Sequence, residues 1–211
     1  MAGRLTLGLY NSYDPRRFFE AHRRALVRAA PLALAFDASV ATFGFPFDDL
    51  AAHGGRTSEN RGRGAPAKRG QEADEPVKLG TPVEIAELIA KSTSIAAESA
   101  PLVELARLGR FQVFDLPARG FPPQLGGVVL TTEHAERPKD TSARAVAREL
   151  VDGKSQVLVF GLGPHGTPDE VRAMARWELD VTGKHQGLET ATAMGAVVAA
   201  VAAHVEMLSS K

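Results

Sequence analysis

The chain has 211 residues, 44% of them hydrophobic and 24% charged, which is apolar enough for a packed domain and too apolar for a disordered one. Basic and acidic side chains number 25 each, so no global field draws the protein to nucleic acid or to a membrane, and any basic footprint is local. Cysteine is absent, which excludes disulfides, thiolate nucleophiles and Cys-ligated zinc and fits an intracellular, cytoplasmic protein.

The start, MAGRLTLGLYNSYDP, has too short an apolar run for a signal peptide. Within it LTLGLY (Leu5–Tyr10) predicts a short buried strand, closed by the polar turn NSYDP. Asp14 before Pro15 is an N-cap and first-turn pair, and the helix it predicts runs through RRFFEAHRRALVRAA. Its apolar positions Phe18, Ala21, Ala25 and Leu26 follow helical spacing, with arginines between them. After Pro31, LALAFD (Leu32–Asp37) reads as a buried strand, completing a strand–helix–strand unit of the parallel kind.

Residues 51–78 break this character with five glycines, two prolines and many charges. From Arg56 to Arg69 five residues are basic and only Glu59 is acidic. With almost nothing apolar to bury, the segment reads as a flexible charged insertion in a single domain spanning residues 1–211. It is either a solvated loop or an arm that neutralises RNA phosphates.

Helices resume with TPVEIAELIAKST, where Thr81 and Glu84 fit a capping box with Pro82 at the first helical position, and continue in SAPLVELARLG. FQVFDLP (Phe111–Pro117) and GGVVLTT (Gly126–Thr132) read as strands, and DTSARAVARELVDG as a helix stopped by Gly153. SQVLVFG predicts the next strand, and TPDEVRAMARW a helix capped by Thr167 with Asp169 and Glu170 at the positive end of its dipole. The final helix lies in GLETATAMGAVVAAVAAHVEML; its alanine-rich part, Met194–Val205, reads as a buried helix too short to span a bilayer. Alternation of helices with near-continuous apolar strands predicts an α/β fold, a mostly parallel sheet with helices on both faces.

Three stretches can carry chemistry. VLVFGLGPHG fits G-x-G-x-x-G at Gly161, Gly163 and Gly166, between a strand and a helix. Glycines at a strand's carboxyl end let the backbone approach a ligand, so residues 160–166 predict a pocket wall. As a dinucleotide turn it comes too late in the chain, although Asp180 stands near the place of a ribose-binding acid. The second stretch is LDVTGKHQGLETATAMGAVVAAVAAHVE, a loop with Gly183 and Gly187 leading into a helix of small residues. Gly195 inside that helix costs about 1 kcal/mol relative to alanine and implies close contact with a neighbouring element or a partner subunit. The third is VVLTTEHAERP, where Thr131, Thr132 and Glu133 follow a strand and either bond a ligand or cap the loop. The six histidines show no H-x-x-x-H spacing, and no metal site is expected.

Together these stretches resemble the three cofactor motifs of the SPOUT (α/β-knot) RNA methyltransferases, most closely an uncharacterised, mainly archaeal branch of that superfamily. LGLYNSYDPRRFFEAHRRALVRAAPLALAFD is similar to the first strand, turn, helix and second strand of those enzymes. The resemblance implies a C-terminal deep trefoil knot. It implies that S-adenosylmethionine is held by backbone groups at Thr131, Thr132 and Glu133, at Phe160, Gly161, Leu162, Gly163 and Gly166, and at Val181, Leu188 and Thr190. It also implies an RNA substrate (tRNA or rRNA) and a homodimer formed through the first and last helices. Catalytic candidates by resemblance are Asn11 at the end of the first strand, Arg24 on the first helix, and Glu189, with Asp14 and Arg23 beside them. Glu189 stands where the best-studied branches often have Asn; it is either a base or a helix cap bonded to Thr192. Two alternatives are a catalytically silent knotted protein that binds RNA or a nucleotide, and a dinucleotide-binding oxidoreductase.

Overall fold

In the computed structural model, which describes residues 2–52, 80–136, 138–163 and 166–210, strand and helix alternate along the chain. The first part holds β1 (Leu5–Tyr10), α1 (Glu20–Ala35), β2 (Ser39–Phe43), α2 (Phe47–Ala52), α3 (Pro82–Ser92), α4 (Ala100–Arg107) and β3 (Phe111–Phe114). The second holds β4 (Gly127–Thr131), α5 (Ala143–Val151), β5 (Gln156–Gly161), α6 (Asp169–Met174), β6 (Trp177–Leu179) and α7 (Thr190–Ser209). The six strands form one sheet in the order β3-β2-β1-β5-β4-β6, and every neighbouring pair is parallel. Apart from its first two residues, which end α2, the charged insertion lies outside the described residues.

The strands are apolar on both faces because both faces are covered. Leu7 and Leu9, Val40, Val129, and Leu158 and Phe160 point to one side, where Leu26, Ile89, Leu102, Val146 and Val198 bring the five longer helices against them. Tyr10, Phe43, Leu130, Val157 and Val159 point to the other side, covered by Val171 of α6, by Ala175 and by Leu125 of a short 3-10 turn. Helices therefore lie on both faces, but unequally: the second face carries a helix of only six residues. The capping box of α3 forms as its sequence predicts, with Thr81 Oγ1 accepting from Glu84 N–H and Glu84 accepting from Thr81 N–H.

Four boundaries differ from the sequence reading. LALA is the last turn of α1, not a strand; the helix runs through Pro31, and the second strand is SVATF. Pro31 is exposed, so its ring meets solvent, and it lacks only the N–H that would reach the Val27 carbonyl; at the helix end and just beyond it Arg110 donates to the carbonyls of Ala33 and Ala38. The start of α1 is also later than Asp14, which closes only a turn through Arg16 and Arg17. Instead Phe19 precedes the first helical turn, and its N–H donates to Nδ1 of His22. The helix after the glycine turn stops at Met174, and Trp177 begins a three-residue edge strand.

The last helix is not the wholly buried rod its composition predicts. Met194, Val197, Val198 and Val201 enter the core, while Ala199 and Met207 are exposed. Thr190–Ser209, with mean hydropathy 1.6, is long and apolar enough to cross a membrane by length and composition only, and 22% of that window is buried in the fold. Here one flank packs on α5 and α1 and the other faces outward.

Candidate functional site

At the carboxyl ends of β4, β5 and β6 lies a cavity of about 610 Å³, a size that suits a nucleotide-class ligand. Three chain segments wall it. From the end of β4 come Thr131, Thr132 and Glu133; from the end of β5, Phe160, Gly161, Gly163 and Gly166; from the stretch before α7, Val181, Leu188 and Thr190. Ten of the eleven residues named for cofactor binding thus line one cavity. Leu162 does not line it: its side chain is 8% exposed and packs in the core, while its N–H donates to the Tyr10 carbonyl at 3.1 Å.

The glycines explain how three segments fit together. A Cβ on Gly163 would lie 2.6 Å from the Ser12 carbonyl oxygen and 2.8 Å from Ser12 Cβ, so the turn presses directly on the β1–α1 loop. A Cβ on Gly161 would sit 2.9 Å from Thr167 Oγ1, and one on Gly187 would overlap the Glu133 carboxylate. Gly166, at φ +67, supplies the left-handed backbone that ends the turn.

Residues not named for cofactor binding complete the walls: Thr167, Asp169, Arg172, Asp180, Thr182 and Gln186. Asp180 shapes its loop from within, accepting from Thr182 N–H at 2.8 Å, Thr182 Oγ1 at 2.6 Å and His185 N–H at 2.8 Å. Burial opposes its ionisation, but these bonds and one from Gly183 outweigh it and hold the carboxyl below the ordinary aspartate range. D-x-T at 180–182 is a local turn signature that could have marked this loop. Arg172 is held by a buried carboxylate on β6: its Nε lies 2.7 Å from Glu178 Oε1 and its second nitrogen 2.9 Å from Oε2. Glu178 is 3% exposed and ionised well into the acid range, chiefly through Arg172 and then through the Glu136 N–H. Arg172 also donates to the His134 carbonyl, and Lys139 to the Arg172 carbonyl, so the β4 loop is pinned to α6. No sequence signal pointed to this pair, because Glu178 lies in the strand that was not foreseen.

The catalytic candidates stand apart from the cavity lining. Asn11 is 4% exposed and bonded within the fold through both its amide nitrogen and its oxygen. Its amide donates to the Gly44 carbonyl at 2.8 Å, and its oxygen accepts from Tyr13 N–H at 3.0 Å and from His22 Nε2–H at 2.8 Å. His22 is fully buried among Phe18, Phe19, Phe45 and Tyr13. Its Nδ1 accepts from Phe19, so the proton is on Nε2, and burial pushes its pKa down to about 4. Arg24 donates to Ser94 Oγ and lies 3.7 Å from Glu20, while Arg23 is buried over the Phe18 ring and bonds Ser92. Glu189 caps α7, with Oε2 accepting from Ala191 N–H at 2.9 Å and Thr192 N–H at 3.2 Å; its other oxygen lies 3.6 Å from Arg28. Asp14 is exposed and bonded to Arg16. His165 lies outside the described residues, and among those described no group of three or more His, Asp or Glu is placed to hold a metal.

Comparison with known proteins bears on fold and family. An uncharacterised protein of Methanocaldococcus jannaschii, MJ0224, is 30% identical over 198 residues, covering 94% of this chain and 93% of its own. A probable methylase family protein from Haemophilus influenzae Rd KW20 superposes with a TM-score of 0.53 at 12% identity, over 100% of this chain and 70% of that one. TrmJ from Z. mobilis ZM4 does so at 0.51 and 14% identity, over 97% and 70% of the two chains. A putative RNA methyltransferase from Bacillus anthracis gives 0.51 at 10% identity, over 96% and 94%. At such identities the likeness is one of fold, and it is the SPOUT-type α/β fold that the sequence motifs implied. The family described as Protein of unknown function (DUF531) matches residues 5–202, and to that family the chain belongs.

Proposed function

We propose that the protein is an S-adenosylmethionine-dependent RNA methyltransferase, a cytoplasmic homodimer whose C-terminal segment is knotted behind the pocket. The observation that carries this reading is the cavity itself: three loops at adjoining strand ends, with backbone exposed at glycines, around a space of nucleotide-cofactor size. The charge of the lining supports it. Glu133, Asp169 and Asp180 face the cavity, and among the described residues the one guanidinium there, Arg172, is already paired with Glu178. Such a lining favours a cationic sulfonium and amino group and disfavours the pyrophosphate of a dinucleotide. Asp180, the residue a dinucleotide fold would direct at a ribose, spends its carboxylate on its own loop.

The bound donor supplies an activated methyl group. The chain's part is to hold and orient it beside the acceptor, and proximity supplies much of the acceleration. Backbone amides and carbonyls beside Gly161, Gly163 and Leu188 are the groups available to read an adenine edge, while Leu130, Leu179 and Val197 supply apolar walls. Dimerisation through α1 and α7 fits the outward apolar flank of α7 and the open space beside Gly195, where a Cβ would meet nothing within 4 Å of its own chain.

A second reading, a knotted RNA-binding protein without catalysis, draws on the state of the candidate residues. Asn11 is buried and bonded to Gly44 and His22, and Glu189 caps a helix. Two experiments separate these readings. Calorimetry with S-adenosylmethionine, S-adenosylhomocysteine and NAD should give heat with the first two only; heat with NAD alone would overturn the proposal. Transfer of labelled methyl to bulk archaeal RNA should follow, and binding with no transfer to any RNA would establish the silent reading.

A further inference from the structure

Two of the three pocket walls meet at the solvent rim through one side chain. His185 Nδ1 lies 2.8 Å from the Glu133 carbonyl oxygen, across 52 residues of sequence. A carbonyl only accepts, so the imidazole carries its proton on Nδ1 and donates. Among the described residues this is the one hydrogen bond between residues 133–134 and 183–188. His185 also stands at φ 55, a left-handed conformation that disfavours every residue but glycine and, less strongly, Asn and Asp. Its neighbour Gly183 has φ +61 with open space around it, so crowding does not force the loop into this shape. What holds His185 there is Asp180, whose carboxylate takes the His185 N–H at 2.8 Å and so turns the ring back toward Glu133. One residue beyond Gln186, Gly187 lies against the Glu133 carboxylate, the movable end of a part-exposed side chain.

We propose that His185 is a latch that joins the loop before α7 to the loop after β4 over the mouth of the cavity, a positioning residue that sets how fast a ligand enters and leaves. The inference rests on the reading of that cavity as the cofactor site. Thr132, Glu133 and His134 line one side and Thr182, Gln186 and Leu188 the other, so separation of the two loops widens the same opening. His185 and His134 are largely exposed, which places the bond at the rim rather than the floor. A strained residue held from within its loop by Asp180 and tied to the facing loop by one long-range bond is a small two-state element: with that bond made the rim is closed, and without it the two loops are free to part.

The test is a pair of substitutions chosen to separate the strain from the bond. His185→Gly removes the donor and accepts the positive φ without cost, so it opens the latch while leaving the loop well formed. His185→Asn tolerates the same φ and keeps an N–H donor at nearly the position of Nδ1. With S-adenosylhomocysteine as probe, stopped-flow binding to H185G should show association and dissociation both faster by about three- to tenfold, the range one hydrogen bond spans, with Kd changed much less. H185N should return both rates toward wild type. Equal rates in wild type and H185G would overturn the latch. If the wild-type protein binds neither S-adenosylmethionine nor S-adenosylhomocysteine, the cofactor reading fails by itself, and amide exchange without ligand decides the latch. Residues 132–136 and 180–187 should exchange faster in H185G and at the wild-type rate in H185N; unchanged exchange in H185G would overturn the proposal.

Discussion

Gly163→Ala tests whether the glycine turn is shaped by its neighbours or only tolerated by them. The added methyl would lie 2.6, 2.7 and 2.8 Å from the carbonyl oxygen, carbonyl carbon and Cβ of Ser12, where ordinary contact begins near 3.4 Å. Most of these atoms are backbone, and the backbone there is tied down: Asn11 N–H donates to the Phe43 carbonyl and Leu162 N–H to that of Tyr10. One loop must therefore move by most of an ångström. Overpacking of this kind costs about 1–3 kcal/mol, which for a chain of this size lowers Tm by roughly 3–10 °C. Because Gly163 also lines the cavity, S-adenosylmethionine affinity should fall with it, by about tenfold or more if the turn is displaced from the ligand. Gly166→Ala is the control: it strains a φ of +67 but meets nothing within 4 Å, so it should cost only about 1 kcal/mol. Urea unfolding and calorimetry on both variants measure the two effects. A G163A protein as stable and as tightly binding as wild type would refute the claim that the turn and the β1–α1 loop are packed against each other.

His22 should make stability depend on pH. It is neutral in the fold with a pKa of about 4 and titrates near 6.5 when unfolded, so the unfolded chain binds more protons between those values. Stability is then full above pH 6.5 and falls toward pH 4, by at most about 3 kcal/mol, and His22→Gln should flatten that slope in pH-dependent urea melts. Glu189→Asn keeps a good N-cap and removes the carboxylate; stability should change by only a few tenths of a kcal/mol, while loss of a catalytic base would lower methyl transfer about a hundredfold or more. Gly195→Ala should raise monomer stability by up to about 1 kcal/mol through helix propensity yet weaken the dimer, which sedimentation at several concentrations reads. A stabilised dimer would place the subunit contact elsewhere.

What the sequence disclosed was whatever is decided within a few residues. The apolar runs of β1, β4 and β5, the Thr81–Glu84 cap and the glycines of the pocket turn are local signals, and the structure has all of them. What it hid depends on distant partners. LALA is the last turn of α1, where the Ala33 carbonyl takes a bond from Arg110, 77 residues away. WEL is legible as a strand only once Arg172 is known to bury Glu178. Asn11 has the place of a reactive residue by resemblance, but its bonds to Gly44, 33 residues away, and to His22 decide how its groups are spent. The cavity walls were foreseen because ligand-facing backbone needs glycine locally; the residues that brace them were not, because bracing is a property of pairs.

The pairing of β1 with β5 has a consequence for how the protein is made. Leu5 finds its partner at Gln156, so the first strand to leave the ribosome stays open on one edge until three quarters of the chain has followed. Partnerships between such remote segments close slowly, and exposed strand edges invite wrong pairings meanwhile. Synthesis in this order leaves the cavity unformed until the last helix has docked, so that truncation before Val197, which removes cavity wall and core contacts together, should abolish ligand binding rather than merely weaken it.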